Sequence, residues 1–217
     1  MAEYTTLIFD CDGVVLNSNK VKTEAFYQAT LPFGKSAAQA MVDYHVAKGG
    51  VSRYKKFDYF LERIVLNHAE QKRADLESLL QAYADHVREG LLNCEIAPAL
   101  GALRQHIPNT RWLIVSGGDQ AELRNVLTER GIAEWFDGGI FGSPDSKDKI
   151  LARELACANI RKPALFLGDS KYDYRAASTA GLDFVFLSDW SEIEGWKAWV
   201  SENQLSYIRG VHSLLDR

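Results

Sequence analysis

The chain has 217 residues, 47% of them apolar, enough for one good core and room for a smaller second one. Its formal charge of −4 argues against a nucleic-acid partner, and no apolar stretch approaches the roughly 18 residues that a membrane span needs. Cys11, Cys94 and Cys157 form neither a CxxC pair nor a disulfide framework, and no basic-then-apolar leader opens the sequence, so a soluble cytoplasmic protein is expected.

The first strand is predicted over 6–9, an apolar run too short for a helix and broken by Asp10-Cys11-Asp12-Gly13. Side chains alternate along an extended chain, so Asp10 and Asp12 are expected on one side and Cys11 on the other. Residues 17–95 then read as almost wholly helical, with helices over 20–29, 36–47, 52–66 and 71–92. In the last of these, Leu76, Leu79, Leu80, Tyr83 and Val87 fall at helical spacing. From there strands alternate with helices. Strands are predicted over 112–115, 139–141, 164–167 and 184–187, the last of them ending the core sheet. Between them lie a helix capped by Asp119 and stopped at Gly131, and two more over 149–158 and 172–180. This alternation implies an α/β fold: a parallel sheet with right-handed crossovers and helices on both faces. The helical block is too long for a crossover. It is expected to be an inserted subdomain over 17–95, with the core formed by 1–16 and 96–217.

In an open parallel sheet, ligands gather at the carboxyl ends of the strands. Four predicted strand ends carry Asp10 with Asp12, then Ser116, then a lysine, then Asp169. These residue types suit phosphoryl transfer. A carboxylate can attack phosphorus and form an acyl phosphate, splitting one hard displacement into two easier ones. A hard divalent cation with oxygen ligands, most simply Mg2+, would bridge Asp10, Asp169 and a phosphate oxygen. A hydroxyl, backbone N–H groups and an ammonium would hold the other oxygens. Asp12 can protonate the leaving oxygen and later deprotonate water.

Asp10-Cys11-Asp12-Gly13-Val14-Val15, Ser116-Gly117-Gly118, Lys147 and Gly168-Asp169-Ser170-Lys171-Tyr172-Asp173 together resemble the motifs of the haloacid dehalogenase superfamily, in order and over essentially the whole chain. The resemblance implies a Rossmann-like core with an α-helical cap, as in the phosphoglycolate phosphatase and β-phosphoglucomutase branch. It implies Asp10 as nucleophile and Asp12 as general acid/base. Ser116 and Gly117 would bind phosphate, with Lys147 neutralising its charge; Lys149 stays open as the alternative lysine. The metal site would draw on Asp10, Asp12 through its backbone carbonyl, Asp169 and Asp173. A small phosphorylated metabolite, such as a sugar or sugar-acid phosphate, is the implied substrate.

Gly49-Gly50-Val51-Ser52-Arg53 resembles the substrate loop of the phosphoglucomutase-like members. Arg53 and Lys56 lie three apart on one helical face, and His45 precedes them; all three are expected to face the substrate's non-reacting end. A phosphomutase would use the same Asp10 chemistry and return the phosphate to the sugar. Carbon–halide dehalogenases lack the second acid, so Asp12 argues against that reaction. A phosphorylatable receiver domain lacks a helical insertion of this length. Oligomeric state is not legible in the chain.

Overall fold

The computed structural model describes residues 4–65 and 75–215. The elements run β1 (Thr6–Phe9), α1 (Asn19–Thr30), α2 (Lys35–Ala47), α3 (Arg53–Tyr59), α4 (Leu76–Asn93), α5 (Leu100–His106), β2 (Arg111–Asp119), α6 (Gln120–Glu129), β3 (Gly139–Ser143), α7 (Lys147–Ala156), β4 (Ala164–Gly168), α8 (Lys171–Thr179), β5 (Asp183–Leu187), α9 (Trp196–Glu202) and β6 (Ser206–Ile208).

The strands form one parallel sheet in the order β3-β2-β1-β4-β5-β6. β1 is central and apolar on both faces. Leu7 and Phe9 enter one core cluster and Ile8 the other, as the strand period of two requires. The order reverses beside β1. The chain builds outward through β2 and β3, then returns to the other side of β1 for β4, β5 and β6. That reversal opens a crevice at the carboxyl ends of β1 and β4.

Helices α1 to α4 lie between β1 and β2 in the chain and pack mainly on one another. On α1 the buried positions are Lys22, Ala25, Phe26, Ala29 and Thr30, one stripe of helical period. Phe26 is the hub: its ring centroid lies 4.5 Å from those of His45 and Tyr83 and 5.1 Å from that of Phe57. On α4 the predicted stripe is buried at Leu79, Tyr83, Val87 and Leu91, and Asp75 caps the helix through Ser78 N at 2.8 Å.

The fold class matches the sequence reading, with local differences. α3 is short and continues as a π-helical turn over Phe60–Ile64. The expected helix ends at 66 and 71–74 lie outside the described residues. β2 extends through Ser116-Gly117-Gly118 to Asp119. β5 does not end the sheet, because β6 adds a three-residue edge strand after α9.

Candidate active site

Asp10 continues the β1–β4 ladder: its N–H donates to Leu167 O at 2.9 Å. Three residues later the chain turns sharply at Gly13. Its φ of +74° lies in the left-handed region, and a Cβ there would sit 2.0 Å from Asp169 Oδ2. Only glycine lets the first loop lie this close to the acid at the end of β4.

The floor of the crevice is a cluster of three acids around one ammonium. Lys147, the first residue of α7, places Nζ 2.8 Å from Asp10 Oδ2 and also donates to Asp173 Oδ1. Asp173 Oδ2 accepts from Ser170 N at 3.0 Å and Asp173 N donates to Ser170 Oγ at 3.2 Å, a capping box that opens α8, and the Ser170 hydroxyl also donates to Asp173 Oδ2 at 2.6 Å. Asp169 Oδ2 accepts from Asn19 Nδ2 at 2.7 Å. One oxygen each from Asp10, Asp169 and Asp173 lies within 4.8 Å of the others. Lys149 is exposed two positions on, about 200° round the helix, so Lys147 is the lysine that reaches the acids.

Three carboxylates share one lysine in a buried space, so negative charge is in excess. Burial, only partly offset by Lys147, pushes Asp10 up to about 7. Burial and the neighbouring Asp10 raise Asp169 well above the ordinary carboxylate value. A hard divalent cation with oxygen ligands fits this donor set and would relieve the excess. Asp10, Asp169 and Asp173 are the side chains able to hold it. The Asp12 carboxylate is elsewhere: it accepts from Ser18 Oγ at 2.6 Å and pairs with Lys22. Burial pushes Asp12 up, but Lys22 and Ser18 outweigh it and hold the group below its usual value.

Over this floor stands a cleft of about 850 Å³ between the sheet and the helical block. Asp10, Asp12, Gly117 and Asp169 line it from below, and His45, Arg53 and Lys56 from above. Within this floor Lys147 and Asp173 are buried beneath Asp10 and Asp169, and Ser116 is buried as well. The Ser116 hydroxyl accepts from Gly118 N at 3.0 Å, tightening the turn after the apolar part of β2. The helical block sits closed on this turn, since a Cβ on Gly117 would meet Gly50 O at 2.2 Å.

The three residues expected to read the substrate have different partners. Lys56 Nζ lies 2.7 Å from His45 Nδ1, and both are buried. Burial, reinforced by Lys22, lowers Lys56 to about 7; burial and Lys56 hold His45 well below its usual value. Arg53 instead forms a two-point ion pair with Glu122 of α6 and stacks 4.6 Å from the Tyr83 ring centroid. Sequence reasoning missed Lys22, Asn19 and Glu122. The signal for Lys22 was there: it sits at the head of the otherwise apolar stripe of α1, where a solvated lysine does not belong.

A parallel sheet whose switch point holds clustered acids and one buried lysine defines a class: a doubly wound, Rossmann-like α/β core under a helical cap. Residues 4–181 match the family model of the haloacid dehalogenase-like hydrolases, and the chain belongs to that family. No curated protein sequence matches it. Among solved structures it is similar to a haloacid dehalogenase-like family protein of Streptococcus pneumoniae, with 19% identity, TM-score 0.69, and 100% and 99% of the two chains covered. It is similar to a predicted phosphatase of Clostridium acetobutylicum at 15% identity and TM-score 0.74, covering 98% and 96%. A third is CbbY of Rhodobacter sphaeroides, solved in complex with xylulose-1,5-bisphosphate, at 16% identity and TM-score 0.66, covering 89% and 90%. At such identity these likenesses define the fold. No helix among the described residues is long and apolar enough to cross a membrane.

Proposed function

We propose that this hydrolase is a Mg2+-dependent phosphatase acting on a small phosphorylated metabolite, a sugar or sugar-acid phosphate, through an aspartyl-phosphate on Asp10. The observation that carries the reading is the Lys147-centred cluster of Asp10, Asp169 and Asp173 at the floor of the cleft. Bound there, Mg2+ would supply a Lewis acid that draws charge from the phosphoryl oxygens.

The chain's own residues account for the other steps. Lys147 keeps Asp10 oriented and offsets charge beside it. Gly117 lines the cleft, where the turn into α6 can offer its N–H to a phosphate oxygen, while the Gly118 N–H is held by Ser116 Oγ. Asp10 attacks phosphorus, the ester oxygen leaves, and a proton from Asp12 quenches it. Asp12 then takes a proton from the water that cleaves the acyl phosphate, freeing Asp10 and inorganic phosphate. The ion pair with Lys22 favours the anionic form of Asp12 that accepts the proton from water, and it works against the protonated form that the first step uses. Closure of Gly50 over Gly117 excludes bulk water from these steps.

Lys56, with His45 beside it, supplies one positive charge to the upper wall at or below neutral pH. That suits a remote carboxylate, phosphate or hydroxyl, and the similarity to a bisphosphate-binding structure agrees with an anionic substrate. The test is a screen of phosphorylated metabolites with Mg2+, scored for released phosphate. Release from sugar or sugar-acid phosphates supports the reading. Isomerised sugar phosphate without released phosphate would make the enzyme a phosphomutase instead.

A further inference from the structure

Segments 50–54 of the helical block and 117–122 of the sheet domain meet as two short strips, touching at three successive points. Gly50 O lies against Gly117, Tyr54 Oη donates to Asp119 Oδ2 at 2.8 Å, and Arg53 grips both oxygens of Glu122, one of them at 3.1 Å. The acceptors belong to one helix end. Asp119 is the N-cap of α6 and uses its other oxygen on Glu122 N at 2.9 Å. Glu122 is the third residue of the same helix. A glutamate there often bonds back to its own N-cap N–H; this one reaches across the seam instead.

Arg53 has little freedom for anything else. It is 7% exposed, lies over the Tyr83 ring and is held by a bidentate carboxylate, the geometry that suits a guanidinium best. A substrate anion in the cleft would meet a guanidinium whose charge Glu122 already neutralises. We propose that Glu122 is a positioning residue: with Arg53 it forms a clasp that holds the Gly49-Gly50 loop down on the phosphate-side turn Ser116-Gly117-Gly118. Arg53 is then a part of closure and not a reader of the substrate, and selection of the remote group passes to Lys56 and His45. The clasp is strongest with the helical block closed, so its energy favours the water-excluding state. This inference rests on the phosphatase reading only for its catalytic consequence.

The experiment is a double-mutant cycle of Arg53→Ala and Glu122→Ala with two readouts. The first is amide hydrogen exchange of 49–51 and 116–118, which needs no turnover. The second is kcat/KM on p-nitrophenyl phosphate and on the best sugar phosphate. Each single variant should speed exchange in both segments by roughly ten- to a hundredfold. Each should lower kcat/KM by the same factor on both substrates, chiefly through KM. The double variant should lose no more than the worse single one, because one clasp is broken once. Tyr54→Phe, which removes a single hydroxyl, should give a smaller effect of the same kind and guards against misfolding. Unchanged exchange in Glu122→Ala would overturn the clasp, as would losses that multiply in the double variant. An Arg53→Ala loss confined to the substrate with a remote group would return Arg53 to substrate reading. Absence of any phosphatase activity in the wild type would defeat the functional reading and still leave the exchange result to decide the clasp.

Discussion

Lys147 Nζ sits between Asp10 and Asp173, 2.8 Å from the first and hydrogen-bonded to the second, with no exposed surface on the lysine side chain. One ammonium therefore fixes the proposed nucleophile of β1 against the helix that follows β4. Breaking a buried pair by removing one partner costs about 3–5 kcal/mol. Lys147→Met should lower Tm and abolish turnover. A melt matching wild type would show that the acids find another counterion.

Divalent metal should bind without substrate. Saturating Mg2+ at roughly 100 times Kd stabilises a protein by about 2.7 kcal/mol. Mg2+ should therefore raise Tm of the wild type, EDTA should reverse it, and Asp169→Asn should remove the shift. An identical shift in Asp169→Asn would move the metal away from this cluster.

Lys22 makes a prediction about Asp12. The pair is mostly buried, so Lys22→Met should cost about 3 kcal/mol by stranding the carboxylate. The folded state holds Asp12 below its ordinary value, so the unfolded chain binds more protons in that range. The stabilisation is present at neutral pH and lost as pH falls through the carboxylate range. Stability of Lys22→Met should fall less on acidification than that of wild type. Parallel pH–stability curves would contradict this.

Much of this site is legible in the sequence because strand ends announce it. Asp10 and Asp169 each follow a buried apolar run, and such runs have one reading in a parallel sheet. Lys147 was separable from Lys149 only in three dimensions, since helix phase decides which one turns inward. Lys22 shows in the sequence only as a charge at the head of the α1 stripe; that its partner is Asp12 does not show until both are placed. The Arg53–Glu122 pair spans sixty-nine positions, and no local pattern reports such a partner. β6 escaped because Ser206 and Tyr207 are exposed, so only Ile208 carries a core signal.

The Lys56–His45 pair gives a pH prediction. Lys56 loses its proton near 7, so it is charged below that value and neutral above. KM for a phosphate ester carrying a remote carboxylate should rise as pH passes upward through 7. It should not rise in this way for p-nitrophenyl phosphate. In Lys56→Met, KM should be high and flat. Because the folded value lies below the ordinary 10.5, the unfolded chain holds more protons between about 7 and 10.5. Stability should rise with pH across that window in wild type and less in Lys56→Met. A KM profile unchanged by the substitution would remove Lys56 from substrate reading.

The central claim is that Asp10 carries the phosphoryl group. The most direct measurement is a rapid acid quench during turnover of radiolabelled substrate with Mg2+, followed by peptide mapping. Wild type should retain label on the peptide containing Asp10 with the lability of an acyl phosphate. Asp10→Asn should retain none, and its turnover should fall by at least about a thousandfold. Label on another residue, or near-normal turnover in Asp10→Asn, would contradict the account.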